Sequence, residues 1–466
     1  MDRMETDSIG SCPVPAEAYY GIHTVRAIEN FPITGRPVNP ALIGALIDIK
    51  KAAAIVHRQA GLLPPRLAEA MIQACDDLAD GMKPVDFPVD AIQGGAGTST
   101  NMNVNEVIAN RALEILGQEK GCYALIHPND HVNLSQSTND VYPTAGRMAL
   151  LRLLPALLGA LADLNRSLAR KAKQCDTIVK LGRTQLSDAI PIRLGQAFQA
   201  WRAAIKRAAV RLRQHMKPLR IVNLGGTAIG TCLNADPYYL ANIIPVLNEI
   251  TGLDLRRAVD LVDATQNTDD YLALSSALRG CAVALAKLAN DLRLLSSGPK
   301  GGLGEITLPA RQNGSSIMPG KINPVIPEVV NQIAFAMIGH DVTAALVAEA
   351  GQLELNAFEP VLFDQLLSDI VSLTHGIRTL DINCIRGISA NSERCRELLD
   401  RSTALATALA PVIGYQRSAA IAKRALRENR SIQDLVEQEG LDDRMLQACL
   451  AAASKCVSGS PASDPA

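Results

Sequence analysis

A mainly α-helical protein is what this sequence predicts, and three observations carry that expectation. Of 466 residues, 48% are hydrophobic but only 3% aromatic, with a single Trp. A core built from Ala, Leu, Ile and Val with so few rings packs as helices rather than as sandwiches or barrels. Apolar residues also recur in i, i+3/i+4 steps over long stretches, as at Leu274, Leu278, Cys281, Leu285, Leu288, Leu292 and Leu295. Several such stretches are small or apolar round most of their circumference, the mark of helices buried on many sides in a bundle shared between subunits. An obligate homo-oligomer follows as an expectation.

The elements fall into three groups. Proline punctuates the first third (Pro13, Pro15, Pro32, Pro37, Pro40, Pro84, Pro88), with short helical patterns at 42–60 and 66–81. Long patterns follow at 142–175, 192–216, 268–297, 324–351 and 358–385. A helix of ~30 residues reaches ~45 Å, more than one compact domain needs. After Asn391 the patterns shorten, at 402–411 and 432–438. The expected organisation is an N-terminal mixed, mostly helical domain (1–139), a central long-helix bundle (140–393) and a small C-terminal helical domain (394–466). The last residues, 458–466, read as a disordered tail.

Composition excludes several function classes. With 46 Lys+Arg against 47 Asp+Glu, the chain lacks the basic field of a nucleic-acid binder, and its few rings offer little for base stacking. The charged start, Met1-Asp2-Arg3-Met4-Glu5, has no apolar run behind it and does not read as a signal peptide. The most apolar stretch, 148–162, is interrupted by Arg152 and Pro155 and reads as too short to cross a bilayer. Ten scattered cysteines form no CxxC pair and read as free thiols. The expected compartment is the cytoplasm, with no membrane or nucleic-acid partner.

Four polar segments interrupt the helical patterns, at 93–106 (QGGAGTSTNMNVNE), 127–140 (HPNDHVNLSQSTND), 182–189 (GRTQLSDA) and 314–324 (GSSIMPGKINP). Glycines bring backbone N–H groups close to a ligand, and Ser, Thr and Asn at helix starts add neutral donors. One such cluster would be an N-cap; four, each longer than capping needs, point to a small dicarboxylate. The stretch Gly314 to Lys321 nearly matches a P-loop, but its glycines are one residue too far apart, Ile322 stands where Mg²⁺ needs Ser or Thr, and Pro319 removes a donor. The seven histidines form no HExxH; His127 and His131 have i, i+4 spacing, but Pro128-Asn129 argues against a helix there. No cofactor or metal is expected.

The segment 314–324 resembles the signature loop of the fumarase/aspartase superfamily, and the other three segments resemble its remaining characteristic regions in the same order. The resemblance implies a three-domain, mainly helical fold whose long helices build a twenty-helix tetramer core, with active sites shared between three subunits. Within the superfamily, 18–31, 94–103 and Ser137-Thr138-Asn139 resemble the aspartase branch. Fumarases carry His where this chain has Gln185, and Gln does not titrate. Gly225-Gly226-Thr227, in contrast, looks more like fumarase. The implied reaction is reversible deamination of L-aspartate to fumarate and ammonia; a fumarate hydratase, or a fumarate-releasing lyase of the same fold acting on a substituted aspartate, stays as the alternative. By resemblance Ser315 is the general base that takes the C3 proton, giving an aci-carboxylate intermediate. Thr98, Ser137, Thr138 and Ser316 would bind the β-carboxylate, Thr184, Lys321 and Asn323 the α-carboxylate, and Asn139 and Gln185 would lie near the ammonium.

Overall fold

The computed structural model describes residues 2–440 apart from Met82. The expected tail at 458–466, together with Cys449 and Cys456, lies outside the described residues. The chain is mainly helical. It opens on a hairpin of β1 (Asp2–Thr6) and β2 (Ser11–Pro15), followed by α1 (Ile22–Asn30), α2 (Pro40–Gln59), α3 (Pro65–Gly81) and α4 (Thr98–Ile115). Next come α5 (Thr138–Gln174), a hairpin of β3 (Val179–Thr184) and β4 (Ser187–Arg193), and α6 (Leu194–His215). Then follow β5 (Ile221–Val222), α7 (Pro237–Thr251), β6 (Arg256–Arg257), α8 (Asp263–Gln266) and α9 (Asp269–Leu295). The chain continues through β7 (Ile306–Thr307), α10 (Val325–Glu349), α11 (Glu359–Asn383), β8 (Ser389–Ala390), α12 (Ser392–Asp400), α13 (Ala404–Ile413), α14 (Tyr415–Glu428) and α15 (Ile432–Gln438).

The five long patterns form α5, α6, α9, α10 and α11, each within a few residues of its expected ends. Arg152 and Pro155 do not end α5, which runs for 37 residues. The expectation that the stretch 148–162 is too short to cross a bilayer is therefore corrected: it lies within α5, and by length and composition alone α5, α9 and α10 could do so. Proline removes one backbone bond without stopping this helix, and Arg152 pairs with Asp48.

Two compact units make up the chain. The first comprises residues up to 159 with 209–282 and 333–374. Its core rests on α2, whose Leu42, Leu46, Ile49, Ala53 and Val56 are buried and which packs on α3 and α7. Its scarce rings are concentrated: Tyr142 and Tyr271 lie 5.6 and 5.1 Å from Phe363, centroid to centroid. The N-terminus of α1 is closed by Glu106 of α4, whose carboxylate accepts the N–H groups of Gly21, His23 and Thr24 and the Thr24 hydroxyl. The second unit comprises 160–208, 283–332 and the residues from 375 onward. Here Leu181 at the base of the β3–β4 hairpin joins Leu399, Leu405, Leu409, Ile421, Ile432 and Leu435 in a small core.

Candidate active site

In the first unit, the starts of α4 and α5 form one polar platform. Gly97, at φ +87° before Thr98, is irreplaceable by sterics as well as by backbone: a Cβ there would meet the Tyr142 ring at 2.5 Å. Thr98 is exposed, with its hydroxyl donating to the Gly95 carbonyl at 2.7 Å. One turn on, Asn101 Nδ2 donates to Thr138 Oγ1 at 3.1 Å, joining α4 to the first residue of α5. Ser137 Oγ accepts the Asn139 N–H, and the Asn139 amide donates to the Ala228 carbonyl at 2.8 Å. Thr98, Ser137, Thr138 and Asn139 therefore belong to one unit.

Beneath this platform lies a network that the sequence does not announce. Lys50 of α2 is 1% exposed, and its Nζ donates to Asn133 Oδ1 at 2.8 Å and Gln136 Oε1 at 3.0 Å. Asn133 Oδ1 also accepts from Asn101 and Asn105, so Lys50 is linked to Thr138 through two side chains. Asp140 is wholly buried and accepts the N–H groups of Ser137, Gly225 and Thr227, fixing the 225–227 loop against the α5 start. Burial lowers Lys50 to about 7 and raises Asp140 to about 6, each opposed by the other's charge. The only hint in the sequence is a lysine inside the apolar stripe Leu46, Ile47, Lys50, Ala53, Ala54.

His127 and His131 serve as acceptors here. Contrary to the sequence expectation, Pro128–Val132 is helical, as a single π turn. Proline is tolerated because it opens the turn, where its missing N–H would have no partner. His127 Nδ1 accepts from the N–H groups of Asn129 and Asp130, and His131 Nδ1 from the N–H of His127.

The second unit carries Thr184, Gln185, Ser315, Ser316, Lys321 and Asn323. Thr184 pairs with Ser187 across a two-residue turn, and both central residues, Gln185 (φ +53°) and Leu186 (φ +63°), are left-handed. Such turns favour Asn and Gly, so Gln-Leu at this exposed tip carries backbone strain. The loop 314–324 is closed at its base: the Gly314 N–H donates to the Lys321 carbonyl at 2.7 Å and Asn323 Nδ2 to the Gly314 carbonyl at 2.9 Å. A Cβ on Gly314 would lie 2.6 Å from the Lys321 carbonyl oxygen, so this closure requires glycine. Ser315 Oγ accepts the N–H groups of Ile317 (3.2 Å) and Met318 (3.0 Å), donors that favour an oxyanion at this atom. Ser316 and Lys321 are exposed, and Lys321 has no ion-pair partner among the described residues.

One buried carboxylate serves both segments. Glu305, 0% exposed, lies 3.0 Å from Arg183 and 3.1 Å from Lys180 of β3, while its backbone carbonyl accepts the Asn391 N–H. It thus ties the hairpin that presents Thr184 and Gln185 to the strand that leads into the 314–324 loop. Glu305→Gln leaves two cations without a buried counter-charge. The expected result is a loss of about 3 kcal/mol in a denaturant titration and a KM for substrate raised about tenfold. An unchanged midpoint and KM would show the pair to be dispensable.

Known proteins are similar to this chain over most of its length. A family described as lyase matches residues 10–339, and the fumarase C C-terminus family matches 405–453. The chain belongs to the fumarase/aspartase superfamily. Among relatives of this lyase, the aspartate ammonia-lyase of Bacillus subtilis is 49% identical over 94% of this chain and 92% of its own. That of Pseudomonas aeruginosa is 50% identical over 95% and 94%. Among solved structures, the fumarate lyase:delta crystallin from Brucella melitensis bound to cobalt is 50% identical, with a TM-score of 0.94 over 97% of this chain and 99% of that one. The class II fumarase from Schistosoma mansoni is 33% identical, with a TM-score of 0.91 over the same shares. The lyase fold of this chain is thus the fumarase fold, as its polar segments implied.

Proposed function

We propose that this lyase catalyses the reversible deamination of L-aspartate to fumarate and ammonia. The observation that carries the reading is Gln185 at the hairpin tip. Hydration chemistry needs a titrating group for the leaving water, and Gln supplies none, whereas an ammonium group leaves with its proton already in place. The identity of about one half with aspartate ammonia-lyases, against 33% with the class II fumarase, supports the same choice.

In this mechanism Ser315 Oγ, held by two N–H donors, removes the C3 proton. Extra charge then develops on the β-carboxylate, where Thr98, Ser137, Thr138 and Ser316 donate to it more strongly than in the ground state. Thr184, Lys321 and Asn323 hold the α-carboxylate, and Asn139 and Gln185 the ammonium side. The reaction needs no cofactor in this scheme.

The proposed assembly is a cytoplasmic homotetramer with a twenty-helix core, three domains per chain divided near 139/140 and 393/394, and each site completed by three subunits. Its support is the exposed apolar stripe of α10, where Phe335, Ile338, Val342 and Leu346 are 40–66% exposed and lie along one face. On other faces the helix buries Ala334, Met337 and Ala344, and its Asp341 pairs with Arg279 at 2.7 Å, which suits a protein interior rather than lipid. The test is a substrate panel of L-aspartate, L-malate and argininosuccinate, followed by the ultraviolet absorbance of fumarate. Turnover on aspartate alone is expected; preferential turnover of malate or argininosuccinate would replace this reading with the alternative.

A further inference from the structure

A cleft of about 990 Å³ in the first unit lies at the end of α6, and none of the residues assigned to substrate lines it. Four cationic side chains line it: Arg213, Lys217, Arg220 and Arg256. Its one carboxylate, Asp254, is shared between Arg220 at 2.9 Å and Arg256 at 3.3 Å. Arg213 and Lys217 have no ion-pair partner among the described residues. Four positive charges against one therefore converge on a single cavity, in a chain whose net charge is −1.

The helix end explains only part of this. Basic groups in the last turn of α6 complement its dipole, which accounts for Arg213. It does not account for Arg220 and Arg256, which come from different segments. They are brought together because β5 pairs in parallel with β6, with Ile221 in register with Arg256. The wall is rigid: Leu219 is fully buried, and buried Arg147 donates to the Pro218 carbonyl at 3.0 Å. Holding like charges side by side is unfavourable unless an anion joins them. The rest of the lining is apolar, with Pro155, Leu158, Met216 and Ile221.

We propose that this cleft binds an organic polyphosphate of the nucleoside triphosphate type. The phosphates would meet Arg213, Lys217, Arg220 and Arg256, and the base would lie on the apolar lining. The volume and the surplus of three charges exceed what a four-carbon dicarboxylate can fill or neutralise.

Calorimetric titration of the intact oligomer with ATP and with inorganic tripolyphosphate, in saturating fumarate to occupy the substrate site, tests this. One ATP per chain is expected, with tripolyphosphate binding at least about tenfold more weakly because it leaves the apolar lining empty. The double variant Arg213→Ala/Lys217→Ala, altered only at exposed positions, should weaken both about tenfold or more while aspartate turnover without ATP is unchanged. No heat with millimolar ATP, or ATP affinity undiminished in the double variant, would overturn the site. Tripolyphosphate binding as tightly as ATP would overturn the nucleotide assignment.

Discussion

Ser315→Ala is expected to lower fumarate formation at least about a thousandfold, while the protein folds and assembles as before. The side chain is half-buried in a loop whose closure rests on Gly314, Lys321 and Asn323, none of which the substitution touches. What disappears is the one oxygen that accepts both the Ile317 and Met318 N–H groups. Two orphaned but solvent-accessible donors cost little stability, so the loss falls on turnover. Progress curves at saturating aspartate, with the oligomer checked by light scattering, measure it. Turnover within about tenfold of the unsubstituted enzyme would remove Ser315 from the role of base.

Lys50→Met is expected to affect stability and substrate binding together. Gln136 Oε1 loses its lysine donor, Asn133 keeps only its asparagine donors, and the link from α2 to Thr138 is cut. The cost of breaking such a buried, hydrogen-bonded group is about 3 kcal/mol, and a Thr138 held less firmly should raise the KM for aspartate about tenfold. The loss also has a pH signature. Unfolded lysine keeps its proton to about pH 10.4, whereas burial makes folded Lys50 release it at about 7. Over that window the unfolded chain binds more protons, so the Lys50 contribution to stability rises with pH. The stability gap between the two proteins should therefore widen from pH 7 to pH 9 in urea titrations. A gap that narrows over this range would show that Lys50 stays charged when folded.

The parts of the fold that could be read in advance were those where one residue type repeats at the helical period. The Leu274 to Leu295 series marked α9, and runs of small and aliphatic residues marked α2, α5 and α10. The β3–β4 hairpin left no such mark, because its turn is Gln185-Leu186 and contains neither Asn nor Gly, although both residues are left-handed. Only the start of α4 was legible, since Asn101, Asn103 and Asn105 are buried within it and interrupt the apolar spacing that marks the other helices. The candidate site divides the same way. Ser315, Lys321 and Asn323 stand in one contiguous segment and are visible together. Lys50 meets Asn133 across 83 positions and Glu305 meets Arg183 across 122, and no local pattern encodes those encounters.

Whether this superfamily member is an ammonia-lyase is tested most directly by stoichiometry. The purified protein is incubated with L-aspartate, and fumarate and ammonia are measured in the same samples over time. One ammonia released per fumarate formed, with aspartate re-formed when fumarate and ammonium are supplied together, is the predicted result. No ammonia from aspartate, alongside steady hydration of fumarate to malate, would contradict it.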